Sequence, residues 1–98
     1  MSLPTAAIGR LNGTAQNVAY TASKGTITNG ISAGVNKIRV LVTTAAFVMI
    51  DDGSGTPSGT LGAYVPALSP EYFVCTPGQK VSAVQVSAGG SLYVSEVS

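Results

Sequence analysis

The stretch PEYFVCTPGQKVSAVQVSAGGSLYVSEVS, Pro70 to Ser98, decides the fold class. It holds three β-rich runs in close order: EYFVC, KVSAVQVSA and SLYVSEV. Thr76-Pro77-Gly78-Gln79 marks a turn between the first two, and Gly89-Gly90 marks one between the second and third. The three runs read as a meander of short antiparallel strands with almost no charge. Within Lys80 to Ala88 the apolar parity changes between Val81/Ala83 and Val84/Val86. That change predicts either an irregularity or a strand covered on both faces. In the last run, Leu92 and Val94 face one way and Tyr93 and Val97 the other.

Upstream, KIRVLVTTAAFVMI from Lys37 to Ile50 is the longest β-branched run and has no helix cap at its start. Fully extended it would reach roughly 46 Å at about 3.3 Å per residue. That length predicts a bend or bulge between Thr43 and Ala46, where side chains become small. Before the bend, Ile38, Val40 and Val42 share one face, and Lys37, Arg39 and Leu41 the other. A one-residue bulge would place Phe47 and Met49 with Val40 and Val42. In either parity a second apolar face remains, which needs cover from another sheet or another subunit.

Ala15 to Thr21 reads as a first strand with Val18 and Tyr20 on one face. Thr26 to Thr28 and Ala63 to Pro66 are candidate short strands, and Asp51 to Gly62 reads as a flexible loop of Gly, Ser and Pro. Many short strands joined by Gly/Pro turns, with no convincing helix, predict an all-β antiparallel sandwich or small barrel. Residues 1–12 read as an extended N-terminal arm and residues 13–98 as a single domain. Leu3, Ile8 and Leu11 of the arm need something to pack on.

Ninety-eight residues suffice for one domain with a modest core. The apolar fraction of 45% with a net charge of +1 argues against disorder. Charged residues make up 9% of the chain, against roughly 25% on average, so the surface is weakly protected against association. The near-neutral balance gives no electrostatic footprint for nucleic acid or anionic lipid. No apolar stretch approaches the ~20 residues of a membrane helix. The N-terminus lacks the pattern of a signal peptide, so the expected setting is cytoplasmic, or export by a route that needs no signal.

The side chains that usually carry chemistry are sparse. His is absent, which removes the commonest general base and metal ligand. Cys75 stands alone in a strand and reads as a packed thiol rather than a nucleophile. Asp51 and Asp52 are adjacent, but no alternating oxygen ligands or closing Glu follow, so they read as a solvated turn rather than a cation site. Glu71 and Glu96 are not spaced to pair with them. No catalytic, cofactor-binding or metal-ligating residue is expected, and the chain reads as a non-enzyme. Tyr20, Tyr64, Tyr72 and Tyr93 are either core rims or a stacking platform for sugars.

Several short motifs together resemble a family of small tailed-bacteriophage virion proteins. They are Asn17-Val18-Ala19-Tyr20, Arg39-Val40 with Thr43-Thr44-Ala45, Glu71-Tyr72-Phe73, Pro77-Gly78-Gln79-Lys80 and Val86-Ser87-Ala88-Gly89-Gly90. The resemblance runs from about Gly13 to the C-terminus. It implies a jelly-roll-like β-sandwich on the capsid surface of a virion, made in the host cytoplasm, acting as a decoration (cement) protein on the major capsid protein. It carries no catalytic residues. On this reading the contact residues are Leu3, Ile8, Leu11, Phe47 and Met49, and the chain is a homo-oligomer, a dimer or trimer, with no nucleic-acid or membrane partner. The rival expectations are a tail or neck component and a carbohydrate-binding module that uses exposed tyrosines.

Overall fold

The structure, a computed structural model, describes residues 11–97. They form eight strands and no helix: β1 (Leu11–Tyr20), β2 (Gly25–Thr26), β3 (Lys37–Val42), β4 (Ala46–Asp51), β5 (Ala63–Val65), β6 (Glu71–Val74), β7 (Lys80–Gln85) and β8 (Gly90–Val97). One sheet has the order β1-β8-β3-β6 and the other β2-β7-β4-β5. All neighbouring strands are antiparallel. The all-β expectation therefore holds at the level of class, with two four-stranded antiparallel sheets.

The pairings are nested. β1 pairs with β8, β2 with β7, β3 with β6 and β4 with β5. The chain thus runs as one long two-stranded ribbon whose tip lies between β4 and β5. Two further pairings, β3 with β8 and β4 with β7, close the ribbon into sheets. Successive strands of the last third consequently fall in alternate sheets. The expected meander of β6, β7 and β8 does not form, because each of these strands pairs with an upstream strand instead. Turn chemistry is local and was legible. Gly78 has φ +88°, following Pro77, and the Gln79 N–H donates to the Thr76 carbonyl at 3.1 Å, as a type II turn requires.

Both sheets turn one face into a single core. Ile38, Val40, Val42, Leu92, Val94 and Tyr20 come from the first sheet, and Ala46, Val48, Val65, Val81 and Ala83 from the second. Ile27, Ile31, Val35 and Cys75 plug it from the connections. The alternation is the ordinary period of two along a strand.

The run from Lys37 to Ile50 is two strands in different sheets, so its bend is a corner rather than a bulge. No parity switch occurs across it. Ile38, Val40, Val42, Ala46 and Val48 are all buried, whereas Phe47 and Met49 point out of the second sheet. Of the two expectations, bend or bulge, the bend forms, and Phe47 and Met49 do not join Val40 and Val42 on one face. Thr43, Thr44 and Ala45 supply the three-residue step between strands, and the Tyr20 hydroxyl anchors it by donating to the Thr44 carbonyl and accepting from the Thr44 N–H at 3.3 Å.

β7 is covered on both faces, which accounts for its mixed pattern. Val81 and Ala83 face the core, while Ser82, on the outer side, is also fully buried and shares a 2.8 Å hydroxyl contact with Thr26. At the N-terminal end, β1 begins at Leu11, opposite Val97, with an irregular register before Ala15. Pairing thus starts two residues ahead of the expected boundary at residue 13.

Candidate functional site

The Asp51–Gly62 segment is expected to be flexible, but it is pinned. Asp51 caps it from the end of β4: Oδ1 accepts from Gly53 N at 2.7 Å and Oδ2 from Gly55 N at 2.9 Å. Asp52 Oδ1 accepts from both the hydroxyl and the backbone N–H of Ser54. Those two bonds hold its carboxyl below the usual value, against a small opposing effect of burial. Lys24 reaches across from the β1–β2 turn, and its ammonium donates to the carbonyls of Gly53 at 2.7 Å and Gly55 at 2.9 Å. The carboxylates thus serve backbone donors, as the turn reading of Asp51 and Asp52 expects. No group of three or more His, Cys, Asp or Glu converges among the described residues.

This segment is the cover for the second apolar face. Phe47 meets Tyr64 edge-on, with ring centroids 6.1 Å apart and planes at 66°. A Cβ on Gly55 would come within 2.7 Å of Met49 Cε, and one on Gly62 within 2.4 Å of the Val48 carbonyl oxygen. At Gly62, where the neighbour is backbone and φ is +99°, only glycine allows the loop to lie this close to β4. Of the five expected contact residues, Phe47 and Met49 are half-buried under their own loop. Leu11 sits in β1 opposite Val97. Leu3 and Ile8 lie outside the described residues. Among the described residues, Phe47 and Met49 belong to the second sheet and Leu11 to the first.

Two other places hold groups with binding potential. The first is a cleft of about 320 Å³ where β5, the edge of one sheet, faces β6, the edge of the other. Val48, Met49, Ile50, Gly62, Ala63 and Phe73 line it, so it is apolar. The second is the outer face of the first sheet, where Lys37, Arg39 and Leu41 point out beside Tyr72 and Tyr93. Tyr72 is 40% exposed and Tyr93 43%, whereas Tyr20 is buried. Sequence parity places Arg39 and Tyr93 each on one side of its own strand. It contains no register, so nothing in it signals that they share a face.

Inside the sandwiched layer, Glu96 is a buried carboxylate opposite Ile38. Its Oε2 accepts from the Ser32 N–H at 2.9 Å, while Oε1 has no hydrogen-bond partner among the described residues. Cys75 is buried in the same core. Burial first, and the charge of Glu96 second, push its thiol above the ordinary value, so the sulfur is held protonated. A thiolate nucleophile needs the opposite environment.

Among the described residues, no helix is long and apolar enough to cross a membrane. Compared with family models, curated proteins and solved structures, the chain matches none.

Proposed function

We propose that this chain is a structural protein of a tailed-bacteriophage particle, a jelly-roll β-sandwich that decorates the head by binding major capsid subunits. The observation that carries the reading is the strand order, 1-8-3-6 against 2-7-4-5. Nested pairing of eight strands in two sheets in this order supports a jelly-roll arrangement, of the kind that recurs in viral capsid and lectin domains. A fold alone does not give a function. The charge-poor surface and the family resemblance of the sequence point the reading toward assembly, and the chain acts by binding rather than by catalysis.

The partner is the major capsid protein. The apolar cleft between β5 and β6 seats a side chain of the shell, and residues 1–10 add an arm contact through Leu3 and Ile8. Leu68, 69% exposed, gives apolar surface that a dimer or trimer of the chain would share. Low charge keeps the desolvation cost of such contacts small, and repetition over a symmetric shell turns weak contacts into avidity.

Removing residues 1–10 leaves β1 and its pairing in place, so the deletion separates arm from domain. The expected result is weaker binding to heads stripped of the protein and a lower temperature of head disruption. Phe73→Ala at the cleft is the parallel test of the domain contact. Unchanged occupancy for both variants would overturn the proposed mode of attachment.

The exposure of Tyr64, Tyr72 and Tyr93 favours a second reading, a carbohydrate-binding module, because buried rings would have removed its only support. A tail or neck position differs from the first reading in location alone.

A further inference from the structure

The outer face of the first sheet gathers groups that no assembly contact proposed above uses. In register, Tyr72 of β6 lies opposite Arg39 of β3, which lies opposite Ser95 of β8. In the next outward row, Leu41 lies opposite Tyr93, which lies opposite Asn17. Tyr72 and Tyr93 are thus two strands and two residues apart on one face, about 12 Å between backbones. Arg39 stands between them, directly opposite one ring and diagonal to the other, at roughly 5 and 7 Å. Its guanidinium has no ring contact, hydrogen bond or ion pair among the described residues.

Charge and size decide the occupant. Two cations, Lys37 and Arg39, belong to this face. No described carboxylate does: Glu71 and Glu96 lie on the inward parity, and Asp51 and Asp52 belong to the other sheet. A second copy laid face to face would bring two more cations and no described carboxylate to neutralise them. Four strands about 4.8 Å apart, of ten, eight, six and four residues, offer roughly 440 Å², about half of the ~800 Å² per partner of a stable protein interface. An area of that size fits a short linear ligand.

We infer that this face binds an acidic oligosaccharide, with Tyr72 and Tyr93 stacking on sugar rings and Arg39 holding a sugar carboxylate between them. The apolar face of a pyranose matches an exposed tyrosine ring. A guanidinium donates two parallel N–H bonds to a carboxylate. Asn17, opposite Tyr93, and Ser95, opposite Arg39, offer partners for hydroxyl groups on the same face. The inference rests on the second reading above, a carbohydrate-binding module, and not on a place in a virion.

The test is a ¹⁵N-amide NMR titration of the full chain with a galacturonic-acid trimer and, separately, with sialyllactose. Maltotriose serves as the neutral control. The expected result is saturable shifts at Asn17, Arg39, Leu41 and Tyr93 with at least one acidic sugar, and the arm that binds identifies the source of the carboxylate. Arg39→Gln and Tyr93→Ala should each weaken binding roughly tenfold or more, as should loss of the sugar carboxylate. Both positions are at the surface, and thermal melting checks that each variant folds. The inference is overturned if neither acidic sugar shifts these amides at millimolar concentration. It is equally overturned if the shifts map to other residues, or if Tyr93→Ala binds as tightly as the parent, which would mean charge attraction alone.

Discussion

Tyr20 does at residue scale what the sequence assigned only to its ring. The ring is buried with the core, while the hydroxyl serves the backbone of Thr44 where the chain changes sheets. Tyr20→Phe keeps the packing and leaves the Thr44 carbonyl without its donor. The expected loss is about 1–2 kcal/mol in urea unfolding, with the larger amide shifts at Thr43 and Thr44. Cys75 gives a pH prediction. Its folded thiol titrates above the ordinary value of 9.0, so the stabilisation it contributes is complete below that pH and is lost as pH rises through the folded value. Stability of the parent should therefore fall more steeply above pH 9.0 than that of Cys75→Ala. Native protein should also resist thiol alkylation that the unfolded chain undergoes. Rapid alkylation of the native state at neutral pH would contradict the buried, protonated thiol.

At the scale of elements, the Asp51–Gly62 segment shows what composition alone conceals. Gly, Ser and Pro read as flexibility, but here the glycines permit contact with β4 and the polar side chains cap backbone donors. Gly62 has φ +99°, and a Cβ there would collide with the Val48 carbonyl. Gly62→Ala should destabilise by about 1–3 kcal/mol. Gly59→Ala is the control: a Cβ there meets only Phe47 Cζ at 3.8 Å, so its effect should stay within about 0.5 kcal/mol. Equal melting temperatures for the two variants would mean that the loop is not held against the sheet. The strands themselves were legible to different degrees. Period-two alternation put Ile38, Val40 and Val42 on one face of their strand and Leu92 and Val94 on one face of theirs, because that pattern depends only on the strand's own geometry; the structure shows that these are the inward faces. The corner at Thr43–Ala45 was visible as a run of small side chains, but its nature was not. A sheet change there depends on the Tyr20 hydroxyl, 24 residues upstream.

For the whole molecule, the nested pairing was hidden for the same reason. Neighbouring runs such as EYFVC and KVSAVQVSA carry turn signals that suit a hairpin equally well, and register is a long-range property absent from local pattern. β6 lies beside β3 rather than β7, with Phe73 opposite Ile38 and packed against the core. The candidate surfaces follow from that topology. Tyr72, Arg39 and Tyr93 come from three strands that only the rolled ribbon makes neighbours. The cleft between β5 and β6 exists because the two sheets end side by side. The most direct test of the assembly role is quantitative mass spectrometry of purified particles from the source that encodes the chain, with its copy number referred to that of the major capsid subunit. The account predicts a copy number equal to, or a fixed simple fraction of, the capsid subunit's. Absence of the chain from the particles would contradict it.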